Sequence, residues 1–139
     1  LKALRSQVHQ KGFARKEDEL NLKLEVGGIR DIELFTHSLL VLHGGKVQEL
    51  QTRSTTQALM KLKGLKVLAG EESDFLLESY WHFRHLENLI QAEGDQQTHS
   101  LKLQQPPPYY TEKESALRLR MNRVQEIVSA LLGAVDLEK

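Results

Sequence analysis

An all-α fold is what this sequence predicts: a bundle of about five helices with one short extended segment near the N-terminus. Three observations carry the prediction. Apolar residues recur at intervals of three and four along most of the chain, the spacing that draws one buried stripe on a helix. Glycine pairs and a proline run fall between those stretches, where helices stop. Only one short run alternates apolar and polar residues. The chain has 139 residues, the size of one domain spanning 1–139, and it is long enough to bury a core.

Leu1 to about Phe13 carries Leu1, Leu4 and Val8 on one helical face, with Gly12 near its end. Arg15 to Glu19 is a charged connector. Leu20, Leu22 and Leu24 then alternate with Asn21, Lys23 and Glu25, which reads as a strand. No second run offers it a partner, so its partner is expected outside this chain. The second helix runs from about Gly28 to Leu42, with Ile32, Phe35, Leu39 and Leu42 as its stripe. His43-Gly44-Gly45 stops it, since glycine takes the left-handed conformation past a helix end.

Ser54 is the N-cap of a third helix bearing Leu59, Met60 and Leu62. Gly64 and Gly70 bracket a short apolar piece, Leu65 to Ala69. The fourth helix runs from about Glu72 to Ala92. Glu71, Glu72 and Asp74 suit its positive end, and Leu76, Tyr80, Phe83 and Ile90 form its apolar face, with Glu87 inside that stripe. Gly94 ends it. Gln96 to Gln105 reads as polar loop, and Pro106-Pro107-Pro108 cannot be helix interior. The last helix, from about Thr111 to Leu137, repeats Leu117, Met121, Val124, Val128, Leu131 and Val135 at heptad spacing.

Composition narrows the function. Lys plus Arg equals Asp plus Glu, 19 each, so no overall field draws nucleic acid or an acidic membrane. The chain lacks cysteine, which excludes disulfides and thiolate metal sites. No apolar run approaches the ~20 residues a membrane helix needs. The expected location is cytoplasmic. Leu1 stands where a methionine would start a protein, and charged helical sequence begins at once. The chain therefore reads as a fragment of a longer one.

Gly27-Gly28-Ile29-Arg30-Asp31 carries the strongest chemical signal. Two glycines allow a sharp turn, and the first amides of a helix lack partners inside it. Such a junction suits an anion, with Lys23 before it and Arg30 after it adding positive charge. The same residues also make a plain tight turn with an internally paired arginine, and the motif alone favours that reading. The nucleophile-elbow and P-loop patterns are absent. His82 and His85, three apart, would bind a metal only with a third ligand such as Glu33 or His99, which nothing in the sequence fixes, so no metal site is assigned. Glu87 within an apolar stripe calls for a partner, and Arg84 or Arg30 is the expected one. Asp31 and Glu33, two apart on a helix, point different ways.

Several blocks, taken together, resemble glutamine synthetase adenylyltransferase, a family related to the uridylyltransferases that modify the PII signalling protein. They are Lys23-Leu24 with Gly27-Gly28-Ile29-Arg30-Asp31-Ile32-Glu33, then His43-Gly44-Gly45-Lys46, then Leu50-Gln51-Thr52-Arg53-Ser54-Thr55. Tyr80, Phe83-Arg84, Glu87 and Gln91 follow, and Asp95, Gln97, Thr98, His99 and Leu101 complete the set in the family's order. The resemblance covers about Asn21 to Leu101. It implies the helical region that follows a nucleotidyltransferase domain. In that family a Gly-Ser motif and an Asp-x-Asp pair hold magnesium and align ATP, and neither motif occurs here. The fragment itself is thus expected to hold no catalytic residue, no metal and no cofactor, with ATP and magnesium belonging to the parent.

By resemblance the parent would adenylylate and deadenylylate glutamine synthetase and answer to PII. Lys23, Gly27, Gly28 and Arg30 would lie near the nucleotide or brace the core, and Arg84 with Glu87 would form a structural ion pair. The chain departs from the family at Glu25, where glycine is usual, at His85 for arginine and at Asp31 for glutamate. After Leu101 the resemblance fades. The alternative is a non-catalytic helical module that docks a partner protein.

Overall fold

The computed structural model describes residues 19–44, 54–94, 100–103 and 110–137. Among these the chain forms β1 (Glu19–Asn21), α1 (Ile29–Gly44), α2 (Thr55–Gly64), α3 (Gly70–Gly94), β2 (Ser100–Lys102) and α4 (Glu114–Leu137). The predicted first helix, Leu1 to Phe13, lies outside the described residues, as do Gly45 and the proline run. The described fold is accordingly four helices and a two-stranded sheet, mostly helical as expected.

The sheet corrects two sequence expectations. β1 pairs antiparallel with β2, with Leu20 opposite Leu101, so the strand finds its partner inside the chain. Part of the expected polar loop, Ser100 to Lys102, is that partner. Leu20 and Leu101 are both almost fully buried, and burying this apolar pair is what fixes the register. The extended run is also shorter than its alternation indicates. From Leu22 the backbone turns, because the Asn21 side-chain oxygen accepts from the amides of Lys23 (3.0 Å) and Leu24 (2.9 Å).

α1 is the hub of the bundle and packs against α2, α3 and α4. Its buried face holds Ile29, Ile32, Phe35 and Leu39. Leu42, expected on that stripe, is 43% exposed, and Leu40 is buried in its place. The helix reaches its C-terminal end at Gly44 and its last turn leaves the core, so Val41 and Leu42 meet solvent.

Ser54 caps α2 as predicted, accepting from the Gln57 amide at 3.3 Å. Ala58, Leu59 and Leu62 face the core, whereas Met60 is 61% exposed. The α2–α3 connection turns at Lys66, which holds a left-handed φ of 61° where glycine is usual. Val67 and Leu68 then donate back to the Leu62 carbonyl, which closes the helix end. α3 leans on α2 through the Ser73 hydroxyl, which donates to the Leu59 carbonyl at 3.1 Å. Leu76, Phe83, Leu86 and Ile90 bury its core face, and Tyr80 is partly buried beside them.

α4 places Leu117, Met121, Val124 and Val128 in the core at their heptad positions, with Ile127 beside them. Its seam with α3 is polar at the edge. Arg120 donates to Ser79 at 3.0 Å, pairs with Glu78 at 3.4 Å, and lies 5.4 Å from the centre of the Phe75 ring.

Candidate functional site

The segment from Asn21 to Glu33 is the one the sequence singles out, and many of its main-chain amides are paired within it. The Glu25 amide donates to the Asn21 carbonyl at 3.0 Å. Gly28 donates to Glu25 at 2.8 Å, Ile29 to Leu22 at 3.0 Å, and Arg30 to Lys23 at 2.9 Å. Gly27 donates to the Asp31 carboxylate at 2.7 Å, and Asp31 is only 1% exposed. Asp31 therefore reaches back from the first turn of α1 and holds Gly27 in the turn that leads into the helix. The amides of Gly27, Gly28, Ile29 and Arg30, which could have faced an anion, are spent inside the turn.

Both glycines have a steric reason to be there. Gly27 has φ of 82°, a conformation that a side chain disfavours. A Cβ on it would overlap the Met121 carbonyl oxygen of α4. A Cβ on Gly28 would stand 2.5 Å from the Leu22 carbonyl oxygen and 2.9 Å from that of Glu25. The turn is thus pressed backbone to backbone against α4. A heptad position on the last helix and a glycine near the start of the first described helix form one joint.

Lys23 and Arg30 leave adjacent points of this turn, joined by their main-chain hydrogen bond. Both side chains are partly buried, and neither has an ion pair or side-chain hydrogen bond among the described residues. Glu25 is 9% exposed, and Glu33 stands partly exposed one helical turn beyond Arg30. Leu24 and Val26 in the turn and Leu34 on α1 are partly exposed.

Arg84 and Glu87 form the ion pair their spacing allows, at 3.0 Å, with the Glu87 side chain 3% exposed and that of Arg84 40% exposed. Arg30 takes no part in it. His82 and His85 go to different surroundings. The His82 Nε2 lies 2.8 Å from the Glu112 carboxylate, and His85 is exposed. His99 is outside the described residues. No cluster of three metal-binding side chains exists among the described residues. Tyr110 sits beside Glu112 with its hydroxyl buried. Burial first, then the charges of Glu112 and Glu114, push its pKa up to about 12.

Asn21, Met121 and Glu112 escaped the sequence reading. Asn21 was signalled by its place before a turn. Met121 acts through a carbonyl, and Glu112 through a contact across 30 residues, and neither leaves a mark on local spacing.

Against known proteins, the family described as GlnD PII-uridylyltransferase matches residues 2–132. Curated relatives bear the name bifunctional glutamine synthetase adenylyltransferase/adenylyl-removing enzyme. That of Agrobacterium fabrum is 42% identical over 81 residues, which is 58% of this chain and 8% of the relative. That of Haemophilus ducreyi is 40% identical over 87 residues, 63% of this chain and 9% of the relative. That of Vibrio parahaemolyticus is 30% identical over 138 residues, 92% of this chain and 14% of the relative. The chain spans a small part of the length of these relatives.

Proposed function

Because the chain belongs to the GlnD PII-uridylyltransferase family, we propose that it is the helical region of a regulatory nucleotidyltransferase. The whole protein would move AMP from ATP to glutamine synthetase and take it off again, in the cytoplasm, with PII as a regulatory partner. ATP and magnesium would be held by carboxylates outside this chain. What carries the reading is the similarity to proteins named for adding and removing that group.

The geometry supports a positioning role. The turn from Leu22 to Ile29 is tightly constrained, because most of its amides and both glycines are committed to internal contacts. Such a turn fixes the backbone positions of Lys23 and Arg30, which suits groups that must meet an active site built elsewhere. Neither residue is a catalytic residue in this reading. The helices supply a platform, with α1 at its centre. No helix of the described residues is long and apolar enough to cross a membrane.

Grafting tests the proposal. This chain replaces the segment it matches in the Vibrio parahaemolyticus relative, and the chimera is assayed for transfer of labelled AMP to glutamine synthetase. Transfer by the chimera is the expected result. A chimera that is folded and soluble but inert would speak against the proposal.

A further inference from the structure

Resting on the reading of the Leu22–Ile29 turn as a positioning element for AMP transfer, we infer that Arg120 of α4 is a positioning residue for that turn and acts through the backbone of Met121. Contacts on two consecutive residues carry the inference. Arg120 grips α3, and the carbonyl of the next residue, Met121, meets Gly27.

The grip on α3 is directional. Phe75, Glu78 and Ser79 share one face of that helix at three- and four-residue spacing. The Arg120 guanidinium donates to the Ser79 hydroxyl at 3.0 Å and lies 5.4 Å from the centre of the Phe75 ring. Ser79 is fully buried and the Arg120 side chain is 21% exposed, so the contact is largely shielded from water. The 3.4 Å pair with Glu78 adds less, since that carboxylate is 70% exposed. Burial of Leu117, Met121 and Val124 draws α4 into the core, but apolar burial is non-directional, whereas a hydrogen bond has a preferred distance and angle. Arg120 supplies what burial lacks, a fixed height and rotation for α4 at this level. The other polar tie to α3, His82 with Glu112, lies before α4 begins.

The contact between Met121 and Gly27 leaves no slack. A Cβ on Gly27 would overlap the Met121 carbonyl, so the two backbones already touch. A shift of α4 by a fraction of an ångström must push the turn or open a gap beside it. Gly27 is held from its other neighbour by the 2.7 Å bond to the Asp31 carboxylate. That bond is charge-assisted and depends steeply on distance and angle. The Gly27 amide therefore reports where α4 places the turn.

The test follows that amide by NMR in the 139-residue chain. In Arg120→Met its resonance is expected to move, and its hydrogen exchange to quicken about tenfold, while the amides of Leu59 and Leu62 in α2 keep their protection. Arg120→Lys should recover part of the change, because an ammonium lacks the planar fork. Ser79→Ala is the milder variant should Arg120→Met not fold, and it should move the Gly27 resonance too. Arg123→Met is the control, since Arg123 is exposed and pairs with Glu126 of its own helix. In the Vibrio parahaemolyticus chimera, Arg120→Met should lower kcat for AMP transfer roughly tenfold relative to Arg123→Met. A Gly27 resonance that stays in place in folded Arg120→Met or Ser79→Ala would overturn the inference. So would exchange that quickens equally at Gly27 and in α2, which marks a general loss of stability, or an active chimera whose kcat Arg120→Met leaves unchanged. A chimera inert before any substitution speaks against the proposed function, and the Gly27 signal then judges Arg120 by itself.

Discussion

Replacing Gly27 by alanine drives a methyl group into the Met121 carbonyl oxygen. Two costs add. A side chain at φ of 82° is strained by about 1–2 kcal/mol. Forcing an extra carbon against a helix backbone costs about 1–3 kcal/mol more, because a main chain cannot rotate away as a flexible side chain can. The sum, about 2–5 kcal/mol, is a large share of the ~5–15 kcal/mol that holds a domain of this size. At this length it corresponds to a fall in Tm of roughly 6–20 °C. Circular dichroism melts and urea titrations of both proteins measure it. Gly64→Ala is the control, since a Cβ there meets nothing within 4 Å. It should leave Tm unchanged or raise it slightly. A Gly27→Ala protein that melts within about a degree of the parent chain would refute the joint between the turn and α4.

Other predictions concern single contacts. Lys66→Gly relieves a left-handed lysine at an exposed helix end and should stabilise the chain by about 1 kcal/mol, read as a higher urea midpoint. Arg84→Ala removes the 3.0 Å ion pair to the buried Glu87 carboxylate and should cost about 1–3 kcal/mol, with Arg84→Lys recovering only part of it. For Tyr110 the sign follows from the direction of the shift. The unfolded phenol loses its proton near 10 and the folded one near 12, so between those values only the native state keeps it. Stability should therefore fall as pH rises through that window, and Tyr110→Phe should lessen the fall; an identical alkaline profile for the two proteins would count against a buried hydroxyl.

Much of the helical frame was legible because helices announce themselves locally. Ser54 before α2, the acids at the start of α3 and the heptad of α4 each fix an element from a few neighbouring residues. Leu20 with Leu101 was not legible, since pairing across some eighty residues leaves no local pattern, and a three-residue strand is too short to show alternation. Leu42 failed for a related reason. Periodicity says which face a residue shares, not where the core stops, and the core stops at Leu40. At the candidate site, the glycine pair was readable as a sharp turn. Its partner was not, because Met121 contributes a backbone carbonyl that any residue would carry. The ion pair of Arg84 and Glu87 could be foreseen from a carboxylate inside an apolar stripe, while the choice between Arg84 and Arg30 needed the three-dimensional packing.

The most direct measurement is AMP addition to, and removal from, glutamine synthetase by the Vibrio parahaemolyticus relative carrying this chain in place of its own segment, beside the same enzyme with the segment deleted. The grafted enzyme is expected to work in both directions and the deleted one in neither. A deleted enzyme that keeps full activity, or a folded graft that has none, would contradict the assignment of this chain as the helical region of such an enzyme.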